Sequence, residues 1–124
     1  MQNRRNEARL LCADLIELIW SEPSGQEQRR VANLEDICPG GMSLQLEVPV
    51  HVGTRVRVLY REVELVGVVR YAIFRNKAYF IGLELDENSR WSVRHFVPQH
   101  LLDPRKLLQR LLPEPETATP RWVN

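Results

Sequence analysis

Apolar and polar residues alternate through the middle of the chain, which is the pattern of strands that bury one face and expose the other. β-branched residues, which favour strands, are frequent there. The segments with this pattern are 42–48, 54–60, 62–74 and 77–85. They are predicted to form successive antiparallel strands, and the last two are predicted to be joined by the three-residue polar connection 75–77.

Residues 10–20 fit two interpretations. The spacing of Leu11, Leu15 and Leu18 suits an amphipathic helix, but the same segment is apolar enough to serve as a strand. Periodicity alone does not decide between them. The segments that follow are a predicted turn at 21–27 and a predicted strand at 29–37.

Short strands at regular spacing, without helices between them, indicate a small all-β fold that closes, or nearly closes, into an antiparallel barrel. Glycine inside a strand often marks a bulge or a sharp bend. Gly67 and Gly82 are therefore predicted to supply corners of the barrel.

The chain changes character after the last predicted strand. In 103–112, Asp103 suits an N-cap, Pro104 suits the first helical position, and four leucines form one apolar stripe. Residues 87–112 are predicted to be a helical segment in which Trp91, Phe96 and Val97 pack on the barrel, and the proline-rich residues 113–124 are predicted to be a flexible tail.

Composition narrows the class of protein. The 124 residues fit one domain, and a content of 44% hydrophobic and 27% charged residues is ordinary for a soluble globular protein. The net charge of +1 offers no general attraction for a nucleic acid polymer, and no apolar segment reaches the roughly 18–20 residues that membrane insertion requires. Two thiols, Cys12 and Cys38, without a paired metal-binding spacing suit a cytoplasmic location.

The chain carries no HExxH, GxSxG or phosphate-loop motif, so we expect no enzymatic activity. Two other stretches carry candidate chemistry: the basic "RRNEAR" at 4–9 and "LEDICPGG" at 34–41. Each has a simple structural interpretation as well. The first suits a solubilising terminus, and in the second Pro39-Gly40 suits the central pair of a type II turn between two strands.

Together, the two stretches resemble the motifs of the PilZ family, bacterial domains that bind the second messenger cyclic di-GMP. The family's RxxxR motif corresponds to residues 5–9, preceded by a further arginine, and its [D/N]xSxxG motif corresponds to residues 36–41. The resemblance implies a six-stranded PilZ-like barrel over 11–86, with residues 1–10 folding over a ligand on its surface. The ligand-binding residues that it implies are Arg4, Arg5, Arg9, Asp36, Cys38 and Gly41.

The implied function is that of a receptor for cyclic di-GMP, without a further cofactor, which changes conformation on binding and regulates an unidentified downstream protein. Arginine suits phosphate and the guanine O6/N7 edge, whereas an aspartate accepts from guanine N1–H and N2–H₂. Cys38 stands where the family has serine, and a thiol is the poorer hydrogen-bonding group. The alternative is a PilZ-like domain that has lost its nucleotide and serves as a protein-interaction module.

Overall fold

The computed structural model describes residues 9–99 of the chain. The elements within that range are β1 (Leu10–Ser21), β2 (Glu27–Cys38), β3 (Gly41–Leu46), β4 (Arg55–Tyr60), β5 (Val63–Arg75), β6 (Ala78–Leu85) and a short 3-10 helix (Glu87–Ser89). No helix in that part of the chain has both the length and the apolar character of a membrane span. The predicted helix at 103–112, the predicted tail at 113–124, and Arg4 and Arg5 lie outside the described residues.

The six strands form a closed antiparallel barrel in the order β1-β2-β3-β6-β5-β4. Closure comes from β1, which pairs with β2 on one edge and, through Glu17–Trp20, with β4 on the other. This confirms the predicted all-β barrel. It also shows that residues 10–20 form a strand and not a helix. As a strand, β1 makes backbone hydrogen bonds to both β2 and β4, and these bonds close the barrel.

The barrel is filled by the apolar residues that alternate along its strands. Leu18, Leu34 and Leu44, from three neighbouring strands, have no exposed surface, and neither does Ile81 of β6. One contiguous core therefore occupies the interior, and the residues between these positions face outward. The residues of each strand that face outward are consequently the ones available for binding at the surface.

The hairpin between β5 and β6 is shorter than predicted. Arg75 pairs with Ala78, so the connection consists of Asn76 and Lys77 alone. Their φ angles are 54° and 66°, which is the left-handed conformation that a two-residue type I′ turn requires. The prediction of a three-residue connection was wrong because Arg75 belongs to the strand.

The connection between β2 and β3 is also a two-residue turn. Cys38 pairs with Gly41, which leaves Pro39 and Gly40 at the bend. Gly40 is not among the glycines with positive φ, and a type II turn would require that conformation at this position. The predicted type II geometry was therefore wrong, although the prediction of a bend was correct.

Gly82 lies where β5 contains a bulge. The pairing of β5 with β6 shifts between Val69 and Tyr71, and Tyr71 then stands opposite Gly82. A Cβ atom at Gly82 would lie 2.0 Å from the Tyr71 ring, so only glycine leaves room for that ring against the sheet. The bulge reorients β5 from Arg70 onward, and the absence of a side chain at Gly82 leaves space for the Tyr71 ring.

The described part of the predicted C-terminal helical segment, residues 87–99, contains the 3-10 helix followed by turns. Trp91 and Phe96 pack into the barrel core, and Phe96 stacks on Tyr60 with ring centroids 4.2 Å apart. Those two packing predictions are confirmed. Val97 is more than half exposed, so its predicted packing role was wrong. This segment closes the end of the barrel at which β1 begins.

Candidate ligand-binding site

A bulge in β2 turns two neighbouring carboxylates outward. Leu34 pairs with Leu44 and Asp36 pairs with Ser43, so Glu35 is an extra residue in β2 relative to β3. Strict alternation would place one of these two acidic side chains inside the barrel. Instead, Glu35 and Asp36 are both partly exposed between buried neighbours. The bulge therefore creates a paired acidic position on the outer surface.

The guanidinium of Arg9 contacts one of these carboxylates. Arg9 Nη1 donates a hydrogen bond to Asp36 Oδ1, although the two residues are 27 positions apart in the chain. The register of the sheet explains the approach, because Leu11 of β1 pairs with Asp36 of β2. The last arginine of the RxxxR motif and the acid of the second motif thus lie at one point on the barrel surface.

A cleft of about 340 Å³, which we call the outer cleft, begins at this point and crosses four neighbouring strands. Its lining residues are Glu35, Asp36, Ser43, Tyr71, Ile73, Arg75 and Phe80. A larger groove of about 500 Å³ lies between β2 and the end of β3, but Asp36 does not line it. Arg9 lines neither of the two, and it approaches the outer cleft through its contact with Asp36. The outer cleft is therefore the candidate site, since volume without suitable chemistry is not an argument for binding.

Aromatic rings line the part of the cleft that β5 and β6 form. The Tyr71 ring lies against Gly82, and its hydroxyl is 3.1 Å from Ser43 Oγ, so the ring is held by both packing and a hydrogen bond. The Arg75 guanidinium lies over the Phe80 ring, 4.6 Å from its centroid. A flat heterocycle placed in the cleft would meet these rings and a cation.

Sequence reasoning did not assign Tyr71, Arg75 and Phe80 to the candidate site and treated them only as residues of two predicted strands and their connection. The bulge in β5 determines which of these side chains face the cleft, and hydrophobic periodicity does not show an inserted residue. A usable signal was present in Gly82, because glycine in a strand often marks a close approach by another group.

The remaining predicted site residues lie at the turn next to Asp36. The Cys38 side chain is completely buried, and Gly41, its partner across the hairpin, is buried as well. Cys38 does not line the outer cleft. Arg9 and Asp36 are brought together by the structure, and Arg4 and Arg5 lie outside the described residues.

The surroundings of Glu35 affect its protonation. Burial raises the pKa of Glu35, the charge on Asp36 raises it further, and the charge on Arg75 opposes them. Within residues 9–99, no three His, Cys, Asp or Glu side chains are arranged to hold a metal ion.

Comparison with known proteins identifies the fold. The chain is similar to MrkH of K. pneumonia, solved as a complex with c-di-GMP, with 16% identity and a TM-score of 0.50, over 69% of this chain and 46% of MrkH. It is similar to the Bacillus subtilis inhibitor of motility MotI/DgrA, with 20% identity and a TM-score of 0.53, over 90% of this chain and 55% of that one.

The third similar structure is the PilZ domain of Escherichia coli YcgR, solved with c-di-GMP, with 15% identity and a TM-score of 0.51, over 70% of this chain and 81% of that one. The chain thus spans about half the length of the first two proteins. No family model and no curated protein matches the sequence. At these identities the likeness establishes the fold, which is that of a PilZ domain, as the motifs predicted.

Proposed function

We propose that the protein binds cyclic di-GMP on the outer face of its barrel, at Arg9 and Asp36, and acts as a non-enzymatic receptor in the cytoplasm. The contact between these two side chains carries the proposal, because it joins the two candidate motifs at one mouth of the outer cleft. Two of the similar structures contain c-di-GMP on the same fold, which supports the assignment of ligand class.

The chemistry of the pair suits a guanine dinucleotide. A guanidinium has five N–H donors, so Arg9 has donors left for a phosphodiester or for the guanine O6/N7 edge while it contacts Asp36. Asp36 offers carboxylate oxygens that can accept from guanine N1–H and N2–H₂. The Tyr71 ring, which is held in place, offers a surface on which a base could stack.

Arg4 and Arg5 would complete the charge of the site. A ligand with two phosphodiesters needs more than one cation, and these arginines precede Arg9 by a few residues. In our proposal the leading segment folds over the ligand when its arginines bind. The resulting change of surface shifts the affinity for a downstream protein.

Cys38 and Gly41 would act indirectly. Because the Cys38 thiol is buried, replacing the family's serine by cysteine removes little from a ligand on the outer face. In this proposal, Cys38 and Gly41 support the hairpin that carries Asp36. We therefore expect Cys38→Ser to bind cyclic di-GMP as tightly as the wild type or slightly more tightly.

Calorimetry with cyclic di-GMP tests the proposal. The double variant Arg5→Ala with Arg9→Ala should lose at least ~100-fold in affinity, because two charge-assisted contacts disappear. Arg29→Ala with Arg57→Ala is the matched control, since these exposed arginines pair with acids away from the cleft. An equal loss in both double variants would indicate a general charge effect and would refute the proposed site.

One observation favours the alternative function, a protein-interaction module without nucleotide. Glu35 places a second carboxylate beside Asp36, and that charge opposes an anionic ligand. If the wild type and Cys38→Ser both show no heat up to high micromolar cyclic di-GMP, the interaction module is the better description. Binding by the wild type at low micromolar concentration would exclude it.

A further inference from the structure

Among residues 9–99, the second part of β5, Arg70–Arg75, has one edge that pairs with no other strand. β4 pairs with β5 through Val63–Val68, and the backbone around Thr54 extends this contact to Val69. β6 pairs with the opposite edge of β5 as far as Arg75. Within residues 9–99, no strand pairs with the β4-facing edge of Arg70–Arg75. The N–H and C=O groups on such an edge can accept another strand.

The side chains on this edge are unusually apolar for a solvent-facing strand. All six residues from Arg70 to Arg75 are exposed. Among them Tyr71 is 42% exposed, Ile73 49% and Phe74 62%. Open edges are commonly protected by proline or by charged side chains across the strand, and this one has charge only at its two ends. An apolar, unprotected edge is typical of a binding surface.

The charge of this hairpin points to the chemistry of its partner. Residues 65–83 contain Arg70, Arg75 and Lys77 and neither aspartate nor glutamate. Arg70 is paired with Glu84 at 2.6 Å, whereas Lys77 is at the exposed turn. A second copy of this chain would bring the same cations to the contact, and an anionic membrane surface could not pair with strand backbone. An acidic peptide segment satisfies both the charge and the edge.

We propose that the edge Arg70–Arg75 binds an extended segment of another protein, with alternating apolar and acidic residues, by strand addition. Tyr71, Ile73 and Arg75 face the outer cleft, and Phe74 lies on the other face against Tyr79, with ring centroids 4.7 Å apart. The added strand therefore places its apolar side chains beside Phe74. Its acidic side chains lie on the face of Arg75.

This function goes beyond nucleotide binding and does not depend on it. The backbone edge is formed by β5 alone, and neither Arg9 nor Asp36 belongs to it. The test is therefore made without nucleotide, so that its outcome is independent of the proposed cyclic di-GMP site.

The experiment uses the full chain labelled with ¹⁵N and a synthetic peptide of about eight residues that alternates valine and glutamate. Amide shifts and slowed hydrogen exchange should be confined to β5 from Arg70 to Arg75. Phe74→Glu should weaken binding at least ~10-fold, through loss of apolar contact and added repulsion. Val93→Glu is the matched control, because Val93 is 61% exposed and lies in the segment after β6, away from this edge.

Three results would overturn the proposal. The first is equal binding of a peptide that alternates valine and lysine, since the charge argument would then fail. The second is peptide-induced change elsewhere on the barrel with an unaltered β5 edge. The third is that Phe74→Glu abolishes self-association or binding to anionic vesicles but leaves peptide binding unchanged, which would assign the edge to a second copy or to a membrane.

Discussion

Two aspartates on neighbouring strands, Asp14 on β1 and Asp36 on β2, have opposite environments. The pairing of β1 with β2 is irregular between Leu11 and Asp14, close to the point where Asp36 stands opposite Leu11. On the inner side of this irregularity Asp14 is buried, and on the outer side Asp36 reaches solvent. Two carboxylates, those of Asp14 and Asp36, thus lie on opposite sides of the same part of the barrel wall.

Inside, the carboxylate holds the structure together. Asp14 Oδ2 accepts a hydrogen bond from the Tyr60 hydroxyl at 2.6 Å and another from the Gln99 backbone N–H at 3.1 Å. The bond to Asp14 is the main cause that raises the pKa of Tyr60. Asp14 Oδ1 is also buried and has no hydrogen-bond partner among residues 9–99. Asp14 therefore fastens the segment after β6 to the barrel.

Outside, the carboxylate is available for another partner. Asp36 contacts Arg9 in an ion pair that solvent can reach, and such pairs contribute little to folding stability. Its neighbour Glu35 has a raised pKa because of burial and of Asp36 itself. The comparison shows that burial and the number of partners, rather than the residue type, separate a buried structural carboxylate from one that solvent can reach.

The pKa of Cys12 responds to the charges of both Asp14 and Asp36. The resulting change in the alkylation rate of its thiol is the largest effect that we expect. Burial, then the charge of Asp14, then that of Asp36 raise the pKa of Cys12 from its ordinary value of 9.0 to about 12. Only the thiolate reacts with iodoacetamide, so Cys12 should be alkylated about 1,000-fold more slowly near neutral pH than in the urea-unfolded chain. Peptide mapping by mass spectrometry measures it separately from Cys38.

The sign of this shift also sets a pH dependence. Because folding favours the neutral thiol, the contribution of Cys12 to stability is present below about pH 9 and is lost as the pH rises towards 12. Asp36→Asn should speed alkylation by removing one of the raising charges, while leaving the fold intact. Alkylation with a midpoint near pH 9 in the folded protein would show that neither burial nor the two carboxylates raise the pKa of this thiol.

Replacing each aspartate by alanine should separate the two environments in stability. Asp14→Ala removes two hydrogen bonds to a carboxylate and leaves the Tyr60 hydroxyl and the Gln99 N–H without that acceptor, so we expect a loss of about 3 kcal/mol. Asp36→Ala should cost less than about 1 kcal/mol. Urea unfolding followed by circular dichroism measures both.

The same pair of variants also has a binding readout. If Asp36 contacts the ligand, Asp36→Ala should lose affinity for cyclic di-GMP. Its free energy of unfolding should change by less than about 1 kcal/mol. A loss of stability in Asp36→Ala as large as that in Asp14→Ala would remove the distinction between the two aspartates, because both would then be structural.

Much of the barrel was predictable, since β3, β4 and the first part of β5 follow alternation with period two, which needs no knowledge of their partners. The motif spacing likewise located Arg9 and Asp36. Residues 10–20 were ambiguous because the choice between helix and strand depended on neighbours far away in the chain. Once β1 is taken as a strand, Asp14 shares its phase with Ile16 and Leu18, and its burial follows.

The bulges were not predictable from the pattern. One extra residue at Glu35 keeps Asp36 outward, and the register shift before Tyr71 brings that ring to the outer cleft. Such insertions break the alternation that strand prediction uses, and their position is determined by pairing across the sheet. The rings that complete the candidate site were missed for this reason, although both of the motifs on which the site is centred were found.

Glu35→Gln has the smallest expected effect and tests whether the second outer carboxylate opposes the ligand. The variant removes one negative charge from the cleft, which for a ligand charge about 6 Å away, with the screening of bulk water, is worth roughly a threefold gain in cyclic di-GMP affinity. Since the pKa of Glu35 is raised, the wild type should approach the variant's affinity as acidification protonates Glu35, and the two should differ above that pKa.

Calorimetry across mildly acidic and neutral pH measures this difference in affinity. The control is Glu62→Gln, because Glu62 is an exposed acid that does not line the cleft. A gain in both variants would indicate net charge alone, whereas a loss in Glu35→Gln would mean that Glu35 accepts hydrogen bonds from the guanine and belongs with Asp36 in the site.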